Sequence, residues 1–159
     1  MSGTGASGDQ ILVEVVADRL RDGRVVRETL WVEALAGGGD YRLVKSPLVA
    51  QGLAVGDEFE VCAEDKSFRV TRRAGNLCIQ LFMKPELTQD VFDDLAARVK
   101  RLGGALDAHT ASIAGFWIPI DAGFPEVERL FGEFVAAHPN AQWMYGNVYG
   151  ENGQQLNWW

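Results

Sequence analysis

The side chains able to do chemistry are few and scattered. His109 and His138 are the only two histidines in the chain. His109 shares a strand-like stretch with Asp107 and Ser112, three residue types that together suggest nucleophilic hydrolysis. Strand alternation puts Asp107 and His109 on one face and Ser112 on the other, so no relay forms. His138 precedes Pro139 at the expected end of a helix, where an imidazolium suits the helix dipole. Both histidines therefore read as structural. Cys62 and Cys78 lie in the apolar runs 59–62 and 77–79 and read as small core hydrophobes, with a disulfide between them geometrically open. No C-x-x-C or H-x-x-x-H spacing occurs, so the chain is expected to hold no metal and no cofactor. Gly37-Gly-Gly39 lacks the lysine and helix of a phosphate loop and reads as a hairpin. No catalytic residue is assigned.

Binding chemistry is better represented. Glu58 and Glu60 point the same way from one strand and offer a negative stripe to a basic ligand. Asp90 and Asp94 share a helix face, which favourable helix-dipole chemistry explains. Trp143, Tyr145 and Tyr149 are separated by even numbers of residues and so fall on one face of a strand. Trp158 and Trp159 follow the polar run 151–157 and must fold back on their own domain or dock elsewhere. Leu156 just before the pair favours folding back. These seven residues (Glu58, Glu60, Trp143, Tyr145, Tyr149, Trp158 and Trp159) are the candidate partner-binding set.

The elements that would position them come from a chain of 159 residues, 47% hydrophobic and 23% charged, a balance that excludes global disorder. Lys and Arg number 15 against 22 Asp and Glu, a formal charge of −7. That surplus argues against nucleic-acid binding, because phosphate recognition needs clustered cations, and it favours a basic protein partner. No apolar run approaches the roughly 18 residues that span a bilayer, so no membrane partner is expected. Residues 1–10 are rich in Gly and Ser, without the cationic start and apolar stretch of a signal peptide, and read as a flexible leader. The expected location is the cytoplasm.

Residues 11–75 read as an all-β lobe, a small barrel or a curved antiparallel sheet. Strands are expected at 11–16, 25–33, 41–44, 58–62 and 67–72. Residues 76–150 follow a different pattern. A continuous apolar strand at 77–83 precedes a helix from an N-cap at Thr88 to Leu102, with Val91, Phe92, Leu95 and Val99 in one stripe. Strands at 106–112 and 116–120 are expected to join near Ala114-Gly115. A helix opened by Pro125 and a strand at 143–149 complete β-α-β-β-α-β, the ferredoxin-like order. Residues 151–159 form an aromatic tail. The fold class is α+β.

One ordered series of short motifs supports a family assignment. Glu28-Thr-Leu-Trp-Val-Glu33, Tyr41-Arg-Leu43, Ser46-Pro47 and Leu53-Ala-Val-Gly-Asp57 resemble a bacterial family, the domain-of-unknown-function 4265 family. The resemblance spans residues 11–150 and implies the fold and size, but transfers no activity. The functional expectation is a non-enzymatic binding or regulatory protein, concretely an immunity-type neutraliser of a basic protein. The alternative is a small-molecule sensor, by analogy with other ferredoxin-like domains.

Overall fold

The computed structural model describes residues 9–84 and 87–159, and what was read of residues 1–8 lies outside them. Gln10 is not leader: it pairs with Glu33 at the start of the first strand.

The first sheet is a five-stranded antiparallel meander. Its strands are β1 (Gln10–Arg19), β2 (Val25–Ala34), β3 (Asp40–Leu43), β4 (Glu58–Val61) and β5 (Phe68–Arg72), lying side by side in sequence order. It does not close into a barrel. Period-two alternation sets its faces. Val15, Leu30, Val32, Leu43 and Phe59 point inward and form a buried cluster. Leu12, Trp31, Glu33, Arg42 and Glu58 occupy the opposite register positions. The Gly37–Gly39 turn between β2 and β3 holds all three glycines at positive φ (113°, 68° and 81°), where other residues are strained.

The second sheet is also antiparallel, in the order β7-β8-β6-β9. It is built from β6 (Asn76–Phe82), β7 (Ala105–His109), β8 (Ile113–Pro119) and β9 (Gln142–Tyr145). Helix α1 (Gln89–Arg101) follows β6, and α2 (Phe124–Ala137) follows β8 and a short 3-10 turn. Thr88 caps α1 through its hydroxyl, which accepts from Val91 N. Phe92, Leu95 and Val99 of α1 and Val127, Leu130, Phe131 and Phe134 of α2 bury against Leu77, Ile79 and Leu81 of β6. Both helices thus cover one face of the sheet. Cys78 and Gln80, alternate residues of β6, point to the other face, which the connection 44–57 covers.

Three details correct the sequence reading. The β7–β8 turn lies at residues 110–112, where the Thr110 hydroxyl accepts from Ser112 N and Ile113 N at 3.2 Å each. Gly115 is in mid-strand opposite Gln80, and it is glycine because a Cβ there would stand 3.0 Å from Pro47 O and 3.1 Å from Ser46 Cβ. A bulge between Leu106 and Ala108 resets the register and separates Asp107 from His109. Asp107 reaches the Ser46 backbone, while His109 stacks on Phe92 of α1 at 5.2 Å. Cys62 is exposed at the end of β4 rather than in the core; Cys78 is buried, and both are free thiols.

Candidate functional site

The last strand carries an aromatic seam. Trp143 and Tyr145 project from β9 toward the helices, their rings 5.0 Å apart. Trp143 meets Phe131 at 5.5 Å and Tyr145 meets Phe124 at 5.5 Å, so α2 supplies the facing rings. The Tyr145 hydroxyl donates to Glu128 at 3.0 Å. Burial, reinforced by Glu128, pushes this phenol well above its ordinary range. Tyr149 does not join the seam. β9 stops at Tyr145 because the Asn147 side chain takes over the pairing, accepting from Cys78 N at 2.8 Å and donating to Asn76 O at 2.9 Å. Tyr149 is instead exposed and bridged to Gln155.

The tail folds back onto this end of the molecule. Trp158 Nε1 donates to Asn147 O at 2.7 Å, and the Arg73 guanidinium stands 5.6 Å from the Trp158 ring. Trp159 packs on Phe124 at 5.3 Å yet keeps 43% of its surface exposed. Four of the five aromatic candidates therefore converge, through Phe124, on one surface.

Glu58 and Glu60 stand elsewhere, on the outer face of the first sheet, and that face carries its own cations. Arg42 bridges Glu33 at 3.5 Å and Glu58 at 3.2 Å; Arg72 reaches Glu58 at 3.9 Å. Arg69 pairs with Glu60 at 2.7 Å and Arg27 with Glu14 at 3.4 Å. These are cross-strand neighbours, the sheet's counterpart of helix i,i+4 pairs. The stripe is matched within the lobe.

Between the lobes lies a polar junction that sequence reasoning missed. Glu28, on the inward side of β2, accepts from Leu48 N, Val49 N and Ala50 N at 2.6–3.0 Å. Gln80 donates to Ala50 O at 3.0 Å and accepts from Gln51 at 2.6 Å. Asp57, 1% exposed, accepts from Ala54 N, Ala74 N and Arg73 at 3.0, 2.9 and 3.3 Å. Burial raises its pKa, with these donors opposing the rise. Asp107 Oδ2 accepts from Ser46 N at 3.0 Å, while Asp107 Oδ1 and Ser46 Oγ find no partner among the described residues. Burial raises the pKa of Asp107 as well, and it pushes the Cys78 thiol far up, which makes that thiol a poor nucleophile. The legible signal was Gln80. A glutamine inside an apolar run buried on both faces must find partners across the junction.

The outer surface of the helix layer carries a groove between α1 and α2, a cleft of about 330 Å³. Val91, Phe134, Ala137 and His138 line it with apolar surface, and Asp90, Asp94, Arg98 and Glu133 stand around it. Arg98 crosses the groove to Glu133 at 2.8 Å. His138 closes one end, its ring stacked 4.3 Å from Phe134 and its Nδ1 3.0 Å from Phe134 O. A second, more polar cleft of about 390 Å³ lies beside Cys62 in the first lobe. Among the described residues, no group of three or more His, Cys, Asp or Glu could hold a metal ion. No helix there is long and apolar enough to cross a membrane.

Residues 28–144 match the model of a family described as a domain of unknown function, DUF4265. The chain belongs to the DUF4265 family. The solved structure of a hypothetical protein from Neisseria gonorrhoeae is similar in fold, with a TM-score of 0.65 at 14% identity. The match covers 86% of this chain and 94% of that one. No curated protein matches. Within the DUF4265 region, the motif residues act at the junction and around it. Glu28 and Asp57 clamp the two ends of the 48–57 segment, and Trp31 O accepts from Val44 N as that connection departs. Tyr41 packs against Phe59 at 5.9 Å. The DUF4265 motifs thus account for how the first lobe grips the second sheet.

Proposed function

We propose that the protein is a non-enzymatic binding module whose second lobe presents an acidic surface to a basic protein partner. The observation that carries this reading is the uneven distribution of charge. Residues 76–159 hold ten Asp and Glu against five Lys and Arg, whereas residues 1–75 hold twelve against ten. Most of the −7 therefore sits in the lobe with fewer cations to match it, and the first lobe pairs its outward carboxylates across strands. An unmatched acidic surface speeds encounter with a cationic partner and selects against anionic ones. The strand order β7-β8-β6-β9, with both helices on one face, supports a ferredoxin-like reading of this lobe. In its most concrete form the activity is that of an immunity-type neutraliser, stoichiometric and free of chemistry. A cytoplasmic setting suits the two free thiols.

The test is affinity capture from host lysate with the tagged full chain, followed by stepwise elution in salt. The expected result is one or a few proteins of high isoelectric point, released as ionic strength rises. A captured set no more basic than the lysate, or a small molecule retained in native mass spectrometry, would overturn the reading.

A further inference from the structure

In the groove between α1 and α2, acidic side chains border an apolar surface. Asp90 lies in the first turn of α1, where the helix dipole rewards it. Asp94 lies beyond that turn, and its placement four residues from Asp90 sets like charges together, which works against helix stability. Asp93 is held by Gln89 at 2.9 Å. Asp90 and Asp94 make no ion pair with any described residue. Across the groove, Glu133 is held by Arg98, so the free carboxylates cluster toward the Asp90 end. From Asp90 to Arg98 the helix rises about 12 Å, the length of a short peptide segment.

We propose that this groove is the docking site for a cationic segment of the partner. In it, one apolar side chain seats on Val91, Phe134 and Ala137, and a neighbouring Lys or Arg reaches Asp90 and Asp94. The proposal rests on the acidic-module reading and names the surface that performs it. Charge complementarity selects the occupant. A second copy of the chain, itself at −7, would meet repulsion here, and an anionic or neutral peptide would leave Asp90 and Asp94 without counter-charges. His138, pinned by its stack on Phe134 and its bond to Phe134 O, gives the apolar floor a fixed end wall.

The probe is a synthetic 12-residue peptide of lysine and leucine, titrated into isotope-labelled full chain and followed by two-dimensional NMR. Amide shifts are expected to concentrate at Val91, Asp94, Phe134 and His138. Asp90→Asn with Asp94→Asn should weaken binding about tenfold, the size expected for two surface ion pairs lost together. Ala137→Trp, at an exposed position, fills the groove while keeping every charge and should weaken binding at least as much. A peptide with glycine replacing leucine should bind more weakly at equal charge. Shifts that map instead to Glu14, Glu58 or Glu60, or binding that survives both variants, would overturn the site and leave the acidic-module reading standing. No binding at low salt to either peptide would overturn both.

Discussion

The two lobes handle similar material in opposite ways. The first pairs each strand with its neighbour in sequence, so its contacts are local and its outward charges face one another across strands. Glu33, Arg42, Glu58 and Arg72 form a ladder over four strands. The second lobe brings β6 between β8 and β9, which requires two helical crossovers. Its helices turn apolar stripes to the sheet and leave polar faces with few cross-partners. A meander consumes its surface charge in register, whereas a crossover fold leaves helix faces free to present it. The lobe with the simpler topology holds the clamp, and the lobe with the longer connections carries the proposed docking groove.

The largest effect should come from breaking the clamp. Asp57 belongs to the first lobe but fixes Ala74 N and Arg73, the link into β6. Asp57→Ala leaves two backbone donors without their acceptor and Arg73, three-quarters covered, with Gly52 O but no counter-charge. Removing one partner of such a buried pair costs about 3–5 kcal/mol. Urea unfolding should show that loss and, because the clamp joins the lobes, should split one transition into two. A single transition shifted by less than 1 kcal/mol would mean that the lobes cohere without Asp57, through Gln80, Asp107 and the other contacts of the junction.

Much of this division was legible in the residues. β-Branched and aromatic runs, with alternation at 58–62 and 67–72, placed all five strands of the first lobe, and the stripes of α1 and α2 emerged intact, because one-sided burial imposes a period that the sequence must carry. What escaped was set by contacts between the lobes. Gly115 looks like a turn residue, yet it is in mid-strand, and it is glycine because residues 46–48 pass over it. The bulge at Asp107 moved that side chain to the junction, which no local pattern records. Even spacing to Tyr149 failed because Asn147, rather than more backbone, completes the edge of β6. Cys62 shares the outward parity of Glu58 and Glu60, which the apolar composition of the run 59–62 concealed. Local periodicity reads elements well and says little about what crosses between them.

A smaller effect sharpens the boundary between the lobes. The tail belongs to the second lobe but places Trp158 against Arg73 of the link. Deleting residues 156–159 removes a half-buried indole, its hydrogen bond to Asn147 O and the ring under Arg73. The expected cost is about 1–2 kcal/mol, and each kcal/mol lowers the melting temperature of a chain this size by roughly 2–4 °C. The lysine–leucine peptide should bind the truncated chain as before. An unchanged melting temperature with weakened peptide binding would move the recognition surface from the helices to the aromatic seam.

The smallest effect concerns Asp107, a carboxylate of the second lobe that reaches Ser46 of the first. Its folded pKa lies above the ordinary 3.8, because burial outweighs the hydrogen bond from Ser46 N and the nearby Lys45 charge. As pH falls from neutral toward 3.8, the folded chain takes up this proton before the unfolded chain does, so acidification favours the folded state. Asp57 acts in the same direction. Asp65 acts in the opposite one: hydrogen bonds from Ser67 lower its pKa to about 2, so its contribution is present above 3.8 and fades as pH drops to about 2. Asp107→Asn keeps an oxygen for Ser46 N and removes the buried charge. Stability at neutral pH should hold or rise by up to about 1 kcal/mol. Its gain on acidification toward pH 3.8 should shrink relative to the parent chain. The measurement is urea unfolding at a series of pH values. A clear loss at neutral pH would show that the charge itself, balanced by Lys45, joins the lobes; an unaltered pH profile would show that Asp107 titrates as an exposed carboxylate does.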